Sequence, residues 1–365
     1  MAGKNIIICF DGTCNHPKSA KQEREWFGLG DIDDKGITNV LKLHLLLGGT
    51  LDNRPHNKQQ HSLYYSGVGT YGNKVQQLFN AAFAPNNLDV ARIIKQAGYD
   101  LQKIYKKNDR IFLFGFSRGA ALARRFAAVI DKYVPVKPED KVVRFIGVFD
   151  TVAAIGFPNL DDDDKPVSDV IFENCTVSGH VQEALHLVSL DDKRIAFLPT
   201  LMNKEDRVTE VWFAGAHSDV GGGFWFDGLS DISLDFMLKE LEKRELGLTV
   251  LSADDVQFNK LGVPAEKYQL DYDDLFIKPR LHGKIHTQDR WLPIARATLT
   301  EREVRVNIND KPAPNELPLV HYTAIERIKE IVDYRPKALK GVKHNCLHAN
   351  GNTIEHRGIR DHIDV

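Results

Sequence analysis

The feature that most constrains the fold of this chain is an apolar run that ends in a serine flanked by two glycines. Residues 111–114 form the short, continuous apolar stretch that is typical of a buried parallel strand. Gly115 and Gly119 bracket Ser117 in the pattern G-x-S-x-G, and an amphipathic segment rich in small residues follows at once. The sequence therefore predicts a strand, a sharp turn and a helix, which together present the serine at the carboxyl end of a sheet.

A serine held in such a turn is a candidate nucleophile. The backbone N–H of Arg118 would lie at the start of the helix, where it can stabilise an oxyanion. G-x-S-x-G also occurs in ordinary turns, so a structural role for Ser117 stays an alternative. The strand before the motif and the helix after it favour the catalytic interpretation.

A second loop at the end of an apolar strand is a candidate ligand site. Residues 5–10 are apolar and lead into Asp11-Gly-Thr13, and open α/β sheets bind ligands at the carboxyl ends of their strands. The loop resembles that of haloacid-dehalogenase phosphatases, but Cys9 occupies the position of their attacking aspartate. We therefore predict that the N–H of Gly12 or its neighbour is a second donor to an oxyanion hole. A tight turn capped by Asp11 is the alternative.

An acid and a histidine follow two further apolar strands. Residues 142–149 are followed directly by Asp150, and residues 208–215 lead into a glycine-rich loop that carries His217. Because the carboxyl ends of parallel strands meet at one edge of a sheet, both side chains would stand on the same rim as Ser117. A general base and the acid that orients it are needed at that rim, although Asp150 is also suited to a turn or helix cap.

Composition limits the classes of protein that this chain can belong to. Its 365 residues, 42% of them hydrophobic, are enough for one elaborated domain or two ordinary ones, and we expect one elaborated domain over residues 1–365. The formal net charge is −2, and residues of both charges are spread along the chain. Nucleic acid is therefore not an expected partner. Four cysteines without a C-x-x-C pattern indicate reduced thiols, and no apolar leader or membrane-length run is present. We expect synthesis in the cytoplasm without a signal peptide or transmembrane segment.

Two regions are less regular than the rest. Residues 155–185 and 224–315 are expected to form cap or lid insertions. Within and beside them, the spacing of apolar residues over 181–190 and 233–245 predicts helices. The histidines of the last twenty-odd residues fit no strong zinc pattern, so no metal site is predicted.

Four motifs taken together resemble the domain of unknown function 2235 family. They are residues 9–13, 115–121, 147–152 and 212–223. That family has an α/β-hydrolase fold and includes the first class of type VI secretion lipase effectors. The resemblance implies an α/β protein with a mostly parallel central sheet and helices on both faces.

The resemblance also implies a function. It indicates a serine esterase or phospholipase with Ser117 as nucleophile, His217 as base and Asp150 as its orienter, acting through an acyl-enzyme without a cofactor. A lipid or small ester is the expected substrate. Peripheral membrane contact, an immunity or secretion partner protein and export by type VI secretion are further expectations.

Alternatives stay open for both the triad and the function. The usual α/β-hydrolase arrangement puts the acid after a later strand and the base after the last one, which would favour Asp219 and His321. The rival functions are a catalytically inactive binding module with a hydrolase fold, and a phosphatase that uses the Asp11 loop and needs magnesium.

Overall fold

The computed structural model describes residues 3–12, 36–55, 57–67, 87–153, 175–225, 228–262, 270–286 and 299–363. The strands among these residues are β1 (Asn5–Phe10), β2 (Gln60–Tyr65), β3 (Arg110–Phe116), β4 (Val143–Phe149), β5 (Ala184–Ser189), β6 (Val208–Phe213), β7 (Asn307–Ile308), β8 (Lys311–Pro312), β9 (Leu319–His321), β10 (His344–Leu347) and β11 (Thr353–His356). The α-helices are α1 (Asn39–Leu46), α2 (Asn87–Ile104), α3 (Arg118–Ala128), α4 (His217–Gly221), α5 (Gly228–Lys243), α6 (Tyr272–Leu275) and α7 (Tyr322–Glu330).

One nine-stranded sheet organises these elements. Its strand order is β11-β10-β9-β6-β5-β4-β3-β1-β2, and β7 and β8 form a separate short ribbon. Neighbouring strands of the large sheet are parallel except β10 and β11. The chain leaves β1 toward β2 on one side and returns to β3 on the other. The carboxyl ends of β1 and β3 therefore flank a topological switch point, the usual ligand position of such sheets.

Helices cover both faces of the sheet. Alternate side chains of β1 point to opposite faces, as a pleated strand requires. Ile6, Ile8 and Phe10 pack in one core cluster with α2 and α3, whereas Ile7 and Cys9 pack in another with α1 and α5. A parallel sheet buried on both faces accounts for the continuous apolar runs seen in the sequence. These layers confirm the predicted fold class.

The helix predicted over residues 181–190 is wrong. The segment contains β5, which lies between β4 and β6 and is buried along its whole length. A short apolar run is compatible with either a buried helix or a buried strand, and its neighbours in the sheet decide between them. His186 interrupts the apolar pattern but is satisfied there, with Nδ1 2.8 Å from Glu210 Oε2 and Nε2 accepting from the Thr151 N–H.

The structure describes only parts of the two predicted cap insertions, and one of these parts packs against the sheet. Residues 154–174 and 287–298 lie outside the described residues. Within 224–315, α5 packs against the sheet through core residues that include Leu229, Leu234 and Met237. A cap or lid role for the rest stays a prediction. Among the described helices, none is long and apolar enough to cross a membrane.

Candidate active site

Ser117 lies in a strained turn between β3 and α3. Its backbone has φ 57° and ψ −126°, a conformation that residues with a side chain seldom adopt. The turn is held on both sides, because the Ser117 N–H donates to Phe149 O at 3.1 Å and its carbonyl accepts from Ala120 and Val152. The strand, turn and helix predicted from G-x-S-x-G are present.

The two glycines of the motif are required by space. A Cβ on Gly119 would lie well under 3.0 Å from the carbonyl oxygens of Phe10 and Asp11, at the end of β1. A Cβ on Gly115 would lie 2.6 Å from Ala120 Cα. Gly115 therefore lets α3 fold back on β3, and Gly119 lets the turn rest directly on the end of β1.

The predicted oxyanion donors stand at this edge of the sheet. The Arg118 N–H opens α3, directly after the serine. The Gly12 N–H follows β1 and donates to Asp11 Oδ1 at 2.6 Å, a bond that an oxyanion would have to replace. Asp11 Oδ2 accepts from the hydroxyls of Tyr64 at 2.5 Å and Thr38 at 2.8 Å, so this buried acid braces the loop. The oxyanion role of both N–H groups stays a prediction.

Cys9, which stands at the nucleophile position of the phosphatase alternative, does not lie at the edge of the sheet with Ser117. Cys9 is fully buried inside β1, and burial raises the pKa of its thiol far above the ordinary value. Its side chain belongs to the core cluster beneath α1 and α5 rather than to the rim. Thr13 lies outside the described residues.

Asp150 and His217 are joined in the core of the site. His217 Nδ1 lies 2.5 Å from Asp150 Oδ2, and both side chains are buried. Asp150 Oδ1 also accepts from the Ser189 N–H at 3.0 Å. Arg302 donates two hydrogen bonds, of 2.7 and 2.8 Å, to the same carboxylate. Burial alone would raise the pKa of Asp150, but Arg302 and His217 hold it well below its usual range.

The ring of His217 is fixed by two aromatic neighbours. It packs at 4.6 Å from Phe116, the residue before Ser117, and edge-on at 4.9 Å from Phe197. Its backbone N–H donates to Asp192 Oδ2 at 3.2 Å. Burial lowers the pKa of His217, and its two acidic neighbours oppose this only in part. The ring is therefore neutral near pH 7, as a general base must be.

The rival acid has a different histidine partner. Asp219 Oδ1 lies 2.6 Å from His286 Nδ1, and its Oδ2 accepts from the backbone N–H groups of His286 and Ala216. Asp219 thus ties the start of α4 to the segment that carries His286. This pairing had no signal in the sequence, because His286 lies in the irregular region 224–315 and follows no apolar strand.

The rival base lies in an apolar environment. His321 Nδ1 is 2.8 Å from Thr323 Oγ1, and its ring stacks on Phe213 at 4.5 Å. Burial lowers its pKa to about 3. The structure thus brings Asp150 to His217, and brings Asp219 to His286 rather than to His321.

The comparisons with known proteins place the chain in a family. A model of the catalytic domain of Tle1-like phospholipase effectors of type VI secretion matches residues 4–136 and 134–240. The chain belongs to this family. The match confirms the resemblance expected from the motifs, and it spans Ser117, Asp150 and His217 while ending before Arg302 and His321.

Several relatives are similar over part of their length. An uncharacterized protein of Saccharomyces cerevisiae is 33% identical over 144 residues, which cover 36% of this chain and 18% of that protein. A solved structure of an uncharacterized Pseudomonas aeruginosa protein aligns at TM-score 0.43 and 19% identity, covering 73% of this chain and 50% of that one. The Tle1 effector bound to the VgrG spike aligns at TM-score 0.36 and 22% identity, covering 61% and 51%. The chain thus spans about half or less of these relatives.

Proposed function

We propose that this protein is a serine hydrolase that cleaves carboxylic esters of lipids, with Ser117 as nucleophile, His217 as base and Asp150 as its orienter. The observation that carries this is the 2.5 Å hydrogen bond between His217 and Asp150, on a ring packed against the residue before the strained elbow serine. Membership of a phospholipase effector family supports a lipid ester as the substrate.

The mechanism follows from which nitrogen of His217 carries the proton. Nδ1–H donates to Asp150, so Nε2 keeps a lone pair that can take the proton of the Ser117 hydroxyl. The serine oxygen then bonds to the ester carbonyl carbon, and the oxyanion accepts from the N–H groups of Arg118 and Gly12. When the carbon–oxygen ester bond breaks, the departing alcohol takes the proton from His217.

The second half-reaction returns the enzyme to its starting state. Water replaces the alcohol, and His217 takes one of its protons as the water oxygen attacks the acyl-enzyme carbonyl. The intermediate collapses to a carboxylic acid, and Ser117 regains its proton from His217. Every step uses groups of the protein and water alone. Membrane contact, export and a secretion or immunity partner are further proposals that rest on the family.

The test compares wild type with Ser117→Ala on a short-chain nitrophenyl ester and on phospholipid vesicles, with and without chelator. Ser178→Ala is the matched control, because its hydroxyl bonds to the Ala127 carbonyl outside the site. We expect Ser117→Ala to lose about a thousandfold or more of the rate, and the control to keep it, regardless of chelator. A fluorophosphonate probe should label wild type and not Ser117→Ala.

The alternatives predict other results. A binding module would neither turn over an ester nor react with the probe. A phosphatase would release phosphate only with magnesium and would tolerate Ser117→Ala. Hydrolysis of nitrophenyl ester without hydrolysis of vesicles would leave a serine esterase and remove the lipid part of the proposal.

A further inference from the structure

Arg302 reaches the Asp150–His217 pair from the C-terminal third of the chain. Its Nη1 and Nη2 donate to Asp150 Oδ1 and Oδ2 at 2.7 and 2.8 Å, a two-bond fork that fixes the plane of the carboxylate. Asp150 is fully buried and Arg302 is 3% exposed, so the ion pair is shielded from water. A surface salt bridge would not hold a carboxylate in this way.

The rest of the guanidinium is bound to the segment that packs on His217. Its Nε donates to Asp192 O at 3.3 Å and its Nη2 also donates to Phe197 O at 2.8 Å. Phe197 is one of the two rings that enclose His217. Arg302 therefore binds both Asp150 and the backbone of Phe197, two residues that each contact the ring of His217.

Among the residues that the structure describes, the other charged side chains near His217 are Asp192 and Arg194, which form a pair of their own. Asp192, which accepts from the His217 N–H, is bound by Arg194 with Nη2 2.6 Å from Oδ2. The Arg194 guanidinium lies over the ring of Phe197 at 3.4 Å. Asp192 and Arg194 thus offset each other, and within the described part of the chain Arg302 is the cation that offsets Asp150.

We propose that Arg302 is a positioning residue of the hydrolase, which turns the Asp150 carboxylate toward His217 and whose charge sets the lower pH limit of activity. This role rests on the function proposed above. With Arg302 present, ionised Asp150 and neutral His217 form a buried cluster of zero net charge. A proton on His217 gives that cluster a charge of +1, which the low-dielectric interior disfavours.

Removal of the positive charge reverses this balance. Without Arg302, the active form of the pair carries an uncompensated −1, and one proton restores neutrality. Asp150 and His217 should then share that proton up to a higher pH, whichever of the two carries it. Unit charges a few ångströms apart at an effective dielectric of about 20 predict an upward shift of about one pH unit or more.

The test is the pH dependence of kcat/KM for nitrophenyl ester hydrolysis in three variants. Arg302→Gln removes the charge and keeps a hydrogen-bond donor, whereas Arg302→Lys keeps the charge and loses the fork. Arg305→Met is the matched control, because Arg305 pairs with Glu303 and not with Asp150. We expect the acidic limb to move up by about one pH unit in Arg302→Gln only. Arg302→Lys should lose about tenfold in kcat with its limb unmoved.

Two results would overturn this role. One is an Arg302→Gln enzyme whose rate falls equally at every pH, which would indicate structural support alone. The other is an Arg302→Lys enzyme whose acidic limb of the pH profile moves up as far as that of Arg302→Gln. If Arg302→Gln does not fold, the lysine variant still decides, since wild-type kcat with an unmoved limb would contradict the positioning role.

A second readout separates this inference from the proposed function. The imidazole signals of His217 are titrated by NMR in the Ser117→Ala background, with and without Arg302→Gln, and assigned by comparison with His217→Gln. The titration should move up by about one pH unit without Arg302. If wild type hydrolyses no ester, the proposed function fails while this titration still tests Arg302; an unmoved titration contradicts the role of Arg302 even in an active enzyme.

Discussion

Gly119→Ala tests whether contact between the serine turn and the end of β1 is required for both folding and activity. The added methyl group would lie well under 3.0 Å from two backbone carbonyl oxygens, those of Phe10 and Asp11. β1 is paired with β2 on one side and β3 on the other, so its backbone has no free direction in the sheet. The turn must therefore move away from β1 by about an ångström, since real Cβ atoms do not make contacts this short.

The magnitude combines two opposing effects. Overpacking of this kind costs about 1–3 kcal/mol, and a clash with immobile backbone belongs at the upper end. Alanine is a better helix former than glycine by about 1 kcal/mol, although less is gained in the first turn of α3. We expect the free energy of unfolding to fall by about 2 kcal/mol. An ångström of displacement of the nucleophile should also lower kcat/KM by about a hundredfold.

The assay joins urea unfolding with ester hydrolysis at a temperature where the variant is folded. Gly179→Ala is the matched control, because a Cβ at Gly179 would meet nothing within 4 Å. That substitution should be neutral or slightly stabilising and should leave the rate unchanged. A Gly119→Ala protein with wild-type stability and wild-type kcat/KM would refute the packing of the turn on β1.

Two further predictions concern the buried histidines. His217→Gln should lose at least a hundredfold in kcat/KM, and His321→Gln should stay within about threefold of wild type per folded molecule; the opposite order would make His321 the base. Burial lowers the pKa of His44 to about 4 and that of His321 to about 3. Because the unfolded chain takes up these protons near pH 6.5, stability should fall as pH drops below that value, by about 1.4 kcal/mol per histidine at pH 5.5. Urea unfolding of wild type and His321→Gln at pH 7.5 and 5.5 measures this, and an equal loss in both proteins would contradict it.

Local sequence was sufficient for much of the fold. Residues 5–10, 111–114, 142–149 and 208–215 were predicted as strands and contain or overlap β1, β3, β4 and β6. β1, β3 and β4 are buried on both faces of a parallel sheet over nearly all their length, and β6 is buried over its second half, which accounts for their apolar composition. The same rule failed for residues 181–190, because a histidine interrupts the apolar run and only the position of β5 between β4 and β6 decides that the segment is a strand.

Some residues of the candidate site could be predicted from the sequence, and others are known only from the structure. Asp150 and His217 were predicted from the sequence because each follows an apolar strand, and the carboxyl ends of parallel strands share one edge. Nothing local indicated that Asp219 would pair with His286 or that Arg302 would bind Asp150. Both partners come from the irregular C-terminal third of the chain.

The sequence by itself determined the elbow, its glycines and the edge of the sheet at which chemistry is expected, because these depend on backbone geometry and on apolar runs a few residues long. Only the tertiary structure decided which carboxylate meets which histidine and which cation meets that carboxylate. Such pairings are made across 67 to 152 residues of chain, and they depend on the distance and burial that the assembled layers impose rather than on spacing along the sequence.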